Sequence, residues 1–212
     1  MADLRGTRRG GTSDGEQKLI RSNERDELLV TDGLPRYTEM GRRQTGYQVI
    51  ATSAVAALVV RPSTVTGVEI WNGYQPGGPS LVIDRAFTHN LVSSTTALGG
   101  GAGIWLMVTR PVTTAIASTL TPIGTNGKAY GGPVRVAVGT TVTDNGWYPW
   151  GTTRIRESAG SVVPAGILTA EVNGRIIVPP QASLCIQVVS GYTADTFCSG
   201  AMWYEEQLYI EP

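Results

Sequence analysis

Short runs of β-branched and apolar residues follow one another along most of the chain, separated by glycine, proline and asparagine. Val68 and Ile70 alternate with Glu69 and Trp71, which is the period-two pattern of a strand with one covered face. From residue 46 onward the pattern predicts strands at residues 47–52, 57–60, 66–71, 80–87, 103–109, 134–143, 167–172, 176–178, 184–189 and 197–210. The stretch 113–125 fits either a strand pair or a long surface loop.

Turn signals separate these predicted strands, among them the Asn-Gly pairs at 72–73, 126–127, 145–146 and 173–174. Many short strands without an alternating helix pattern indicate an all-β sandwich or barrel. The apolar run 104–108 predicts a buried central strand. Asp84 and Arg85 are neighbours in a predicted strand, so we expect their side chains to point to opposite faces and not to pair.

Residues 1–45 differ from the rest of the chain because they hold nine of the 17 basic and eight of the 17 acidic residues. Such a segment buries too little apolar surface to offset the entropy of ordering it. We therefore predict an extended charged arm at 1–45 and a β-sandwich domain at 46–212. The stretch 16–30 could form a weak helix, and a disordered terminus without a role is the alternative.

The composition gives little reason to expect a nucleic acid or an anionic membrane as the main partner, because the formal net charge is zero. The polar N-terminal region does not resemble a signal peptide, and the apolar run 49–60 is too short to span a bilayer. We therefore expect a soluble chain made in the cytoplasm. Cys185 and Cys198 are too few for a disulfide framework, and we expect both to be small buried residues.

Groups that could perform catalysis are sparse. His89 is the single histidine, in a predicted strand end or loop, and no Gly-x-Ser-x-Gly motif accompanies it. The carboxylates show no spacing that singles out a catalytic pair. We expect no enzymatic activity, no cofactor and no metal site.

The segment 145–151 (NGWYPWG) concentrates aromatic residues between glycines. Trp147, Tyr148 and Trp150 could cap the core, anchor a protein interface or stack on a sugar ring. The arm supplies further candidates, because arginine makes bidentate contacts with carboxylates at interfaces. The candidate partner-binding residues are thus Arg5, Arg8, Arg9, Arg21, Arg25, Arg36, Arg42, Arg43, Trp147, Tyr148 and Trp150.

Several segments together resemble the jelly-roll proteins of tailed-bacteriophage virions, namely capsid decoration (cement) proteins and fibre-head domains. They are 67–72 (GVEIWN) with 81–83 (LVI), 174–180 (GRIIVPP) with 184–186 (LCI), and 203–206 (WYEE). The resemblance implies a single jelly roll that assembles as a homotrimer on the surface of a capsid. It also implies the major capsid protein as partner.

On this basis we expect a non-enzymatic virion protein that binds and stabilises neighbouring major capsid proteins, with no direct nucleic-acid or membrane contact. The alternative is a receptor- or glycan-binding tail or fibre module, which the aromatic segment 147–150 would serve. In the first case the arm and the aromatic segment 147–150 provide the binding surface. Glu205 and Glu206 then lie at the rim.

Overall fold

The computed structural model describes residues 43–92, 101–154 and 167–208, together with two short strands near the N-terminus. Backbone contacts divide the chain into two units, Met1–Thr38 and Glu39–Pro212. In the first unit, strands β1 (Arg5–Gly6) and β2 (Lys18–Leu19) form an antiparallel pair. The rest of the predicted arm, up to residue 42, lies outside the described residues, so the arm stays a prediction.

The described part of the second unit is built mainly from strands. They are β3 (Gly46–Ile50), β4 (Val55–Ala56), β5 (Val68–Trp71), β6 (Ser80–Val92), β7 (Gly101–Val108), β8 (Ile123–Gly124), β9 (Arg135–Val138), β10 (Tyr148–Arg154), β11 (Ile167–Val178), β12 (Ser183–Ser190) and β13 (Thr196–Glu206). Within the described residues, no helix is long and apolar enough to cross a membrane. The predicted all-β class is confirmed.

The strands form two antiparallel sheets with the pairing of a jelly roll. One sheet has the order β10-β7-β12-β5-β9 and the other β11-β6-β13-β3-β8, with β4 beside β13. Eight strands form four nested pairs, in which the first strand along the chain pairs with the last, the second with the last but one, and so on. The pairs are β3 with β13, β5 with β12, β6 with β11, and β7 with β10. A long antiparallel hairpin rolled into two layers gives this nested pairing.

The main core lies between the two sheets. Ile70, Leu106 and Ile186 of the five-stranded sheet belong to the same apolar cluster as Ile83 and Trp203 of the six-stranded sheet, and all five are almost fully buried. Along β11 buried and exposed residues alternate, as expected where one face of a strand meets the core. The run 104–108 does lie in a central strand, β7.

The outer face of the five-stranded sheet carries a second, smaller apolar cluster. Met107 and Cys185 are register partners that alternate with core residues, so their side chains point away from the main core. Trp147 covers both of them from the loop that joins β9 to β10. This loop is tied to the segment 61–65, because Val142 donates its backbone N–H to the carbonyl of Thr64. The sheet is therefore covered on both faces here.

Three predictions of secondary structure are wrong in detail. Residues 57–60 are not a strand, because pairing with β13 occurs earlier, in β4. No strand is predicted at residues 148–154, which form the edge strand β10. The Asn173-Gly174 pair does not connect two strands but lies inside β11, as a bulge described below. The uncertain stretch 113–125 is mostly loop, with β8 at its end.

The expectation that Asp84 and Arg85 do not pair is also wrong. The Arg85 Nε lies 3.3 Å from an Asp84 carboxylate oxygen. The register between β6 and β13 shifts here, since Met202 pairs with Arg85 while Trp203 pairs with Ile83. Asp84 is thus an extra residue in a β-bulge, and a bulge removes the strict alternation of side chains.

Gly200 allows β13 to lie between β3 and β6. A Cβ atom at this position would stand 2.1 Å from the carbonyl oxygen of Val49 and 2.9 Å from the ring of Phe87. We expect Gly200→Ala to lower the free energy of unfolding by about 2 kcal/mol or more through overpacking. Chemical denaturation measures this effect. Gly131→Ala is the matched control, because a Cβ there meets no atom within 4 Å; equal stability of the two variants would contradict this account.

Candidate functional site

The candidate site lies at one open side of the sandwich, where the edge strands β10 and β11 meet. Each is the outermost strand of its sheet on this side. The indole N–H of Trp150 on β10 donates a hydrogen bond of 3.1 Å to the carbonyl oxygen of Glu171 on β11. Trp150 also packs against the main core. This single side chain therefore links the two sheets at the edge.

A long bulge interrupts β11 beside this link. Glu171 pairs with Arg85 and Ile176 pairs with Ile83, so four residues of β11 lie opposite the single residue Asp84. The additional residues fit because Asn173 and Gly174 adopt left-handed backbone conformations, with φ of 51° and 77°. Asparagine and glycine tolerate this region best. Bulges of this kind redirect side chains near functional sites.

The bulge places Arg175 against Trp150. The Arg175 guanidinium carbon is 5.5 Å from the centre of the Trp150 ring, within the range of a cation–π contact. Its Nε donates to the carbonyl of Val172 at 3.0 Å, and an Nη2 hydrogen goes to the carbonyl of Glu171 at 2.9 Å. Backbone oxygens and an aromatic face thus hold the guanidinium in one position on an exposed residue.

The three aromatic candidates of the sequence have different environments. Trp147 is buried, with 4% of its surface exposed, and its indole N–H donates to the carbonyl of Ser63 at 3.0 Å. Tyr148 is 66% exposed, and Trp150 is half-buried. Of the alternatives for this segment, core packing therefore holds for Trp147. A surface role is left to Tyr148 and the accessible part of Trp150.

Tyr148, Trp150 and Arg175 border a cleft of about 310 Å³, called here the edge cleft. The apolar part of its lining comes from β7 and β11, with Val108 and Ile176 among the contributors. In the described residues, the remaining lining groups are Leu106, Met107, Asn145 and Gly146. The backbone N–H of Asn145 lies 3.1 Å from the Met107 sulfur, which fixes the loop at the mouth of the cleft. Arg175 is the one side chain of the lining that is charged at neutral pH.

The arginines predicted for the arm are not brought to this cleft by any described contact. Arg5 belongs to β1, and Arg43 is an exposed residue just before the sandwich. Arg8, Arg9, Arg21, Arg25, Arg36 and Arg42 lie outside the described residues. Arg175, which the sequence analysis did not single out for binding, occupies the cleft instead. The sequence feature that could have indicated this position of Arg175 is the preceding Asn173-Gly174 pair, which the sequence analysis treats as a turn between two strands.

A second polar cluster lies around Glu205. The hydroxyls of Tyr74 and Tyr130 each donate a 2.7 Å hydrogen bond to a different oxygen of this carboxylate. Tyr47 packs edge-on against Tyr130, with ring centres 4.8 Å apart. Burial, and then the bond to the Glu205 carboxylate, raises the pKa of Tyr74 and of Tyr130 well above the ordinary value. Glu205, predicted as a rim charge, thus joins three separate segments at one end of the sandwich.

The buried Glu69 carboxylate is held by hydrogen bonds, and the two thiols are held by packing. Glu69 accepts hydrogen bonds from Thr140 at 2.6 Å and from Ser183 at 2.7 Å. Cys185 and Cys198 are free, buried and on different sheets. Burial raises the pKa of both thiols, which disfavours the nucleophilic thiolate.

His89 lies within β6 rather than in a loop. No group of three or more potential metal ligands occurs among the residues that the structure describes.

Comparisons with known proteins give little to add to this geometry. No protein-family model and no curated protein sequence matches the chain. A solved structure described as a full particle of Israeli acute paralysis virus heated to 63 degrees is similar at 10% identity and a TM-score of 0.24. The match covers 100% of this chain and 88% of that chain.

The division of the aromatic segment into a buried and an exposed part can be tested by stability. We expect Trp147→Ala to lower the free energy of unfolding by about 3–5 kcal/mol, because it leaves a cavity on the outer face of the sheet. Tyr148→Ala should change it by about 0.5 kcal/mol or less, as is usual for exposed positions. Urea denaturation of both variants measures the difference. Comparable losses in the two would show that Trp147 is not part of a core.

The tyrosine cluster should make the protein sensitive to alkaline pH. Since the pKa of Tyr130 is raised on folding, the folded state keeps a proton that the unfolded state loses above pH about 10. The stabilisation is complete below that pH and declines as the pH rises further. We expect Tyr130→Phe to flatten the fall of unfolding free energy between pH 9 and 11, measured by urea denaturation. Tyr148→Phe is the control and should keep the wild-type slope.

Proposed function

We propose that this chain is a non-enzymatic structural protein of a virion, which decorates the capsid and holds neighbouring major capsid protein subunits together. The jelly roll is compatible with this role, but lectins and cupins share the architecture, so the fold alone does not select it. The resemblance of segments such as 174–180 to phage decoration proteins is the second support. The third, which carries the proposal, is the edge cleft.

The edge cleft has the residue types of a protein interface. Tyrosine, tryptophan and arginine dominate the residues that contribute most to protein–protein affinity. Tyr148 is largely exposed, and it lies next to Trp150 and Arg175 at an open side of the sandwich. A surface of this type fits a protein that works by contact. Elsewhere in the described part of the chain, Glu69 and Cys185 are engaged in packing and hydrogen bonding.

In this proposal the protein is made in the host cytoplasm and ends on the capsid surface, as a homotrimer bound to the major capsid protein. It contacts neither nucleic acid nor membrane directly and needs no cofactor. The charged arm supplies additional contacts that order on binding. The second candidate function is a receptor- or glycan-binding tail or fibre module. It is favoured by the exposed ring of Tyr148 beside Trp150, which could stack on a sugar.

The copy number in purified virions separates these functions. Quantitative mass spectrometry should find hundreds of copies per particle if the chain covers the shell. About a dozen copies or fewer would favour the tail or fibre module, and absence from particles would contradict both. In the second case, a glycan array should show binding that Tyr148→Ala abolishes.

Removing the arm tests its part in the proposal. The deletion should end at residue 42, because Gln44 accepts a hydrogen bond from the Tyr47 hydroxyl and Thr45 accepts one from the backbone N–H of Glu205. We expect the 43–212 fragment to keep a cooperative thermal transition and to lose at least tenfold in occupancy on shells that lack the protein. Co-sedimentation with such shells measures the occupancy. Undiminished occupancy would contradict a binding role for the arm.

A further inference from the structure

We propose that the edge cleft is a carboxylate-binding site, which receives an aspartate or glutamate side chain of a partner protein. Arg175 is the ion-pair partner in this proposal, and Tyr148 and Trp150 form the aromatic walls. The identification of that partner as a capsid subunit rests on the proposed function. The chemistry of the site itself does not.

The first support is that the Arg175 guanidinium is held in place before any ligand arrives. Two backbone carbonyl oxygens and the Trp150 ring fix it, at the cost of two left-handed residues, Asn173 and Gly174. A long side chain loses rotamer entropy when it is immobilised on binding. Because this immobilisation has already occurred on folding, an incoming carboxylate meets a preorganised donor.

The second support is the number of donors left over. A guanidinium has five N–H groups, and the hydrogen bonds to Val172 and Glu171 use one on Nε and one on Nη2. One hydrogen on Nη2 and two on Nη1 remain. Neighbouring hydrogens on Nη1 and Nη2 have the fork geometry that binds a carboxylate in a bidentate manner.

The third support is charge. The acidic residues that the structure describes next to the cleft, Glu171 and Asp144, are already engaged with other arginines. Glu171 lies 3.8 Å from Arg85, and Asp144 pairs with Arg61 at 2.6 Å. No ion pair to Arg175 is found among the residues that the structure describes. The lining of the cleft therefore carries one uncompensated positive charge at neutral pH, and a negative ligand complements it.

The rest of the lining favours an acidic side chain over a sugar. Val108 and Ile176 provide apolar surface for the methylene groups of glutamate or aspartate. Asn145 contributes the one side-chain amide of the cleft, whereas a sugar ring needs several polar partners to replace the water around its hydroxyls. An aromatic–arginine wall with an apolar floor thus matches a short acidic peptide segment.

The direct test is an NMR titration of the full-length, ¹⁵N-labelled protein with acetyl-Gly-Glu-Gly-amide, with acetyl-Gly-Gln-Gly-amide as the uncharged control. We expect the Trp150 indole N–H and the Arg175 Nε–H signals to shift with the glutamate peptide, with a Kd of roughly 1 mM, the weak affinity of a single contact. The shifts should shrink as salt is added, because the cleft is exposed. Equal shifts with both peptides, or none with the glutamate peptide, would overturn the proposal.

Variants localise the effect. Arg175→Gln should raise the Kd at least tenfold, and Arg175→Lys should weaken binding as well, since a lysine cannot form the bidentate contact. Arg135→Gln is the control, because Arg135 is exposed and lies on β9, at the edge of the same sheet opposite to β10; it should leave the Kd unchanged. Thermal unfolding shows whether Arg175→Gln remains folded. Unchanged binding in Arg175→Gln would overturn the proposal, as would inorganic phosphate shifting these signals when the glutamate peptide does not.

Particle experiments distinguish failure of this site from failure of the proposed function. If wild-type protein occupies shells, Arg175→Gln should reduce the occupancy at least tenfold while Arg135→Gln does not. Normal occupancy by Arg175→Gln together with no peptide binding would overturn the carboxylate site alone. Absence of the wild-type protein from virions would overturn the capsid role, and the peptide titration would still decide the chemistry of the cleft.

Discussion

The pairing of β13 with β3 on one side and β6 on the other holds the six-stranded sheet together. These strands approach closely at Gly200, where a side chain would collide with the backbone of β3. The same strand places Trp203 in the main core and Glu205 between Tyr74 and Tyr130. Because β3 and β13 are far apart in sequence, the sheet depends on long-range contacts, which are formed slowly in folding.

Much of this architecture is visible in local sequence patterns. Alternating apolar and polar residues and β-branched runs indicate most strands. In a strand with one covered face, the residues that point to the core are apolar and those between them are polar. The continuous apolar run at 104–108 indicates a central strand for a different reason, because both faces of that strand are covered. Among the strands that the pattern did not identify are β8 and β10, which are edge strands and lack this alternation. Tyr148-Pro149-Trp150 contains a proline and two aromatic residues, a composition that an edge strand tolerates but that also suits a loop.

The sequence indicates the aromatic residues of the candidate site but not their arrangement, because that arrangement depends on contacts with residues far away in the sequence. Trp147 and Trp150 look equivalent in the sequence, but one is covered through contacts that include Ser63 and the other bonds to Glu171. An Asn-Gly pair provides the same left-handed backbone to a hairpin and to a bulge. Only the pairing of β11 with β6 on both sides of it decides between them. The position of Arg175 against the Trp150 ring therefore follows from no local pattern.

The two layers of the sandwich each contain one buried free thiol, Cys185 in one sheet and Cys198 in the other. A thiol reagent reaches such a side chain only when the structure around it opens. The chain thus has a built-in chemical reporter in each layer. Labelling rates of the two single-cysteine forms would reveal whether the layers open together, as one cooperative unit, or independently of each other.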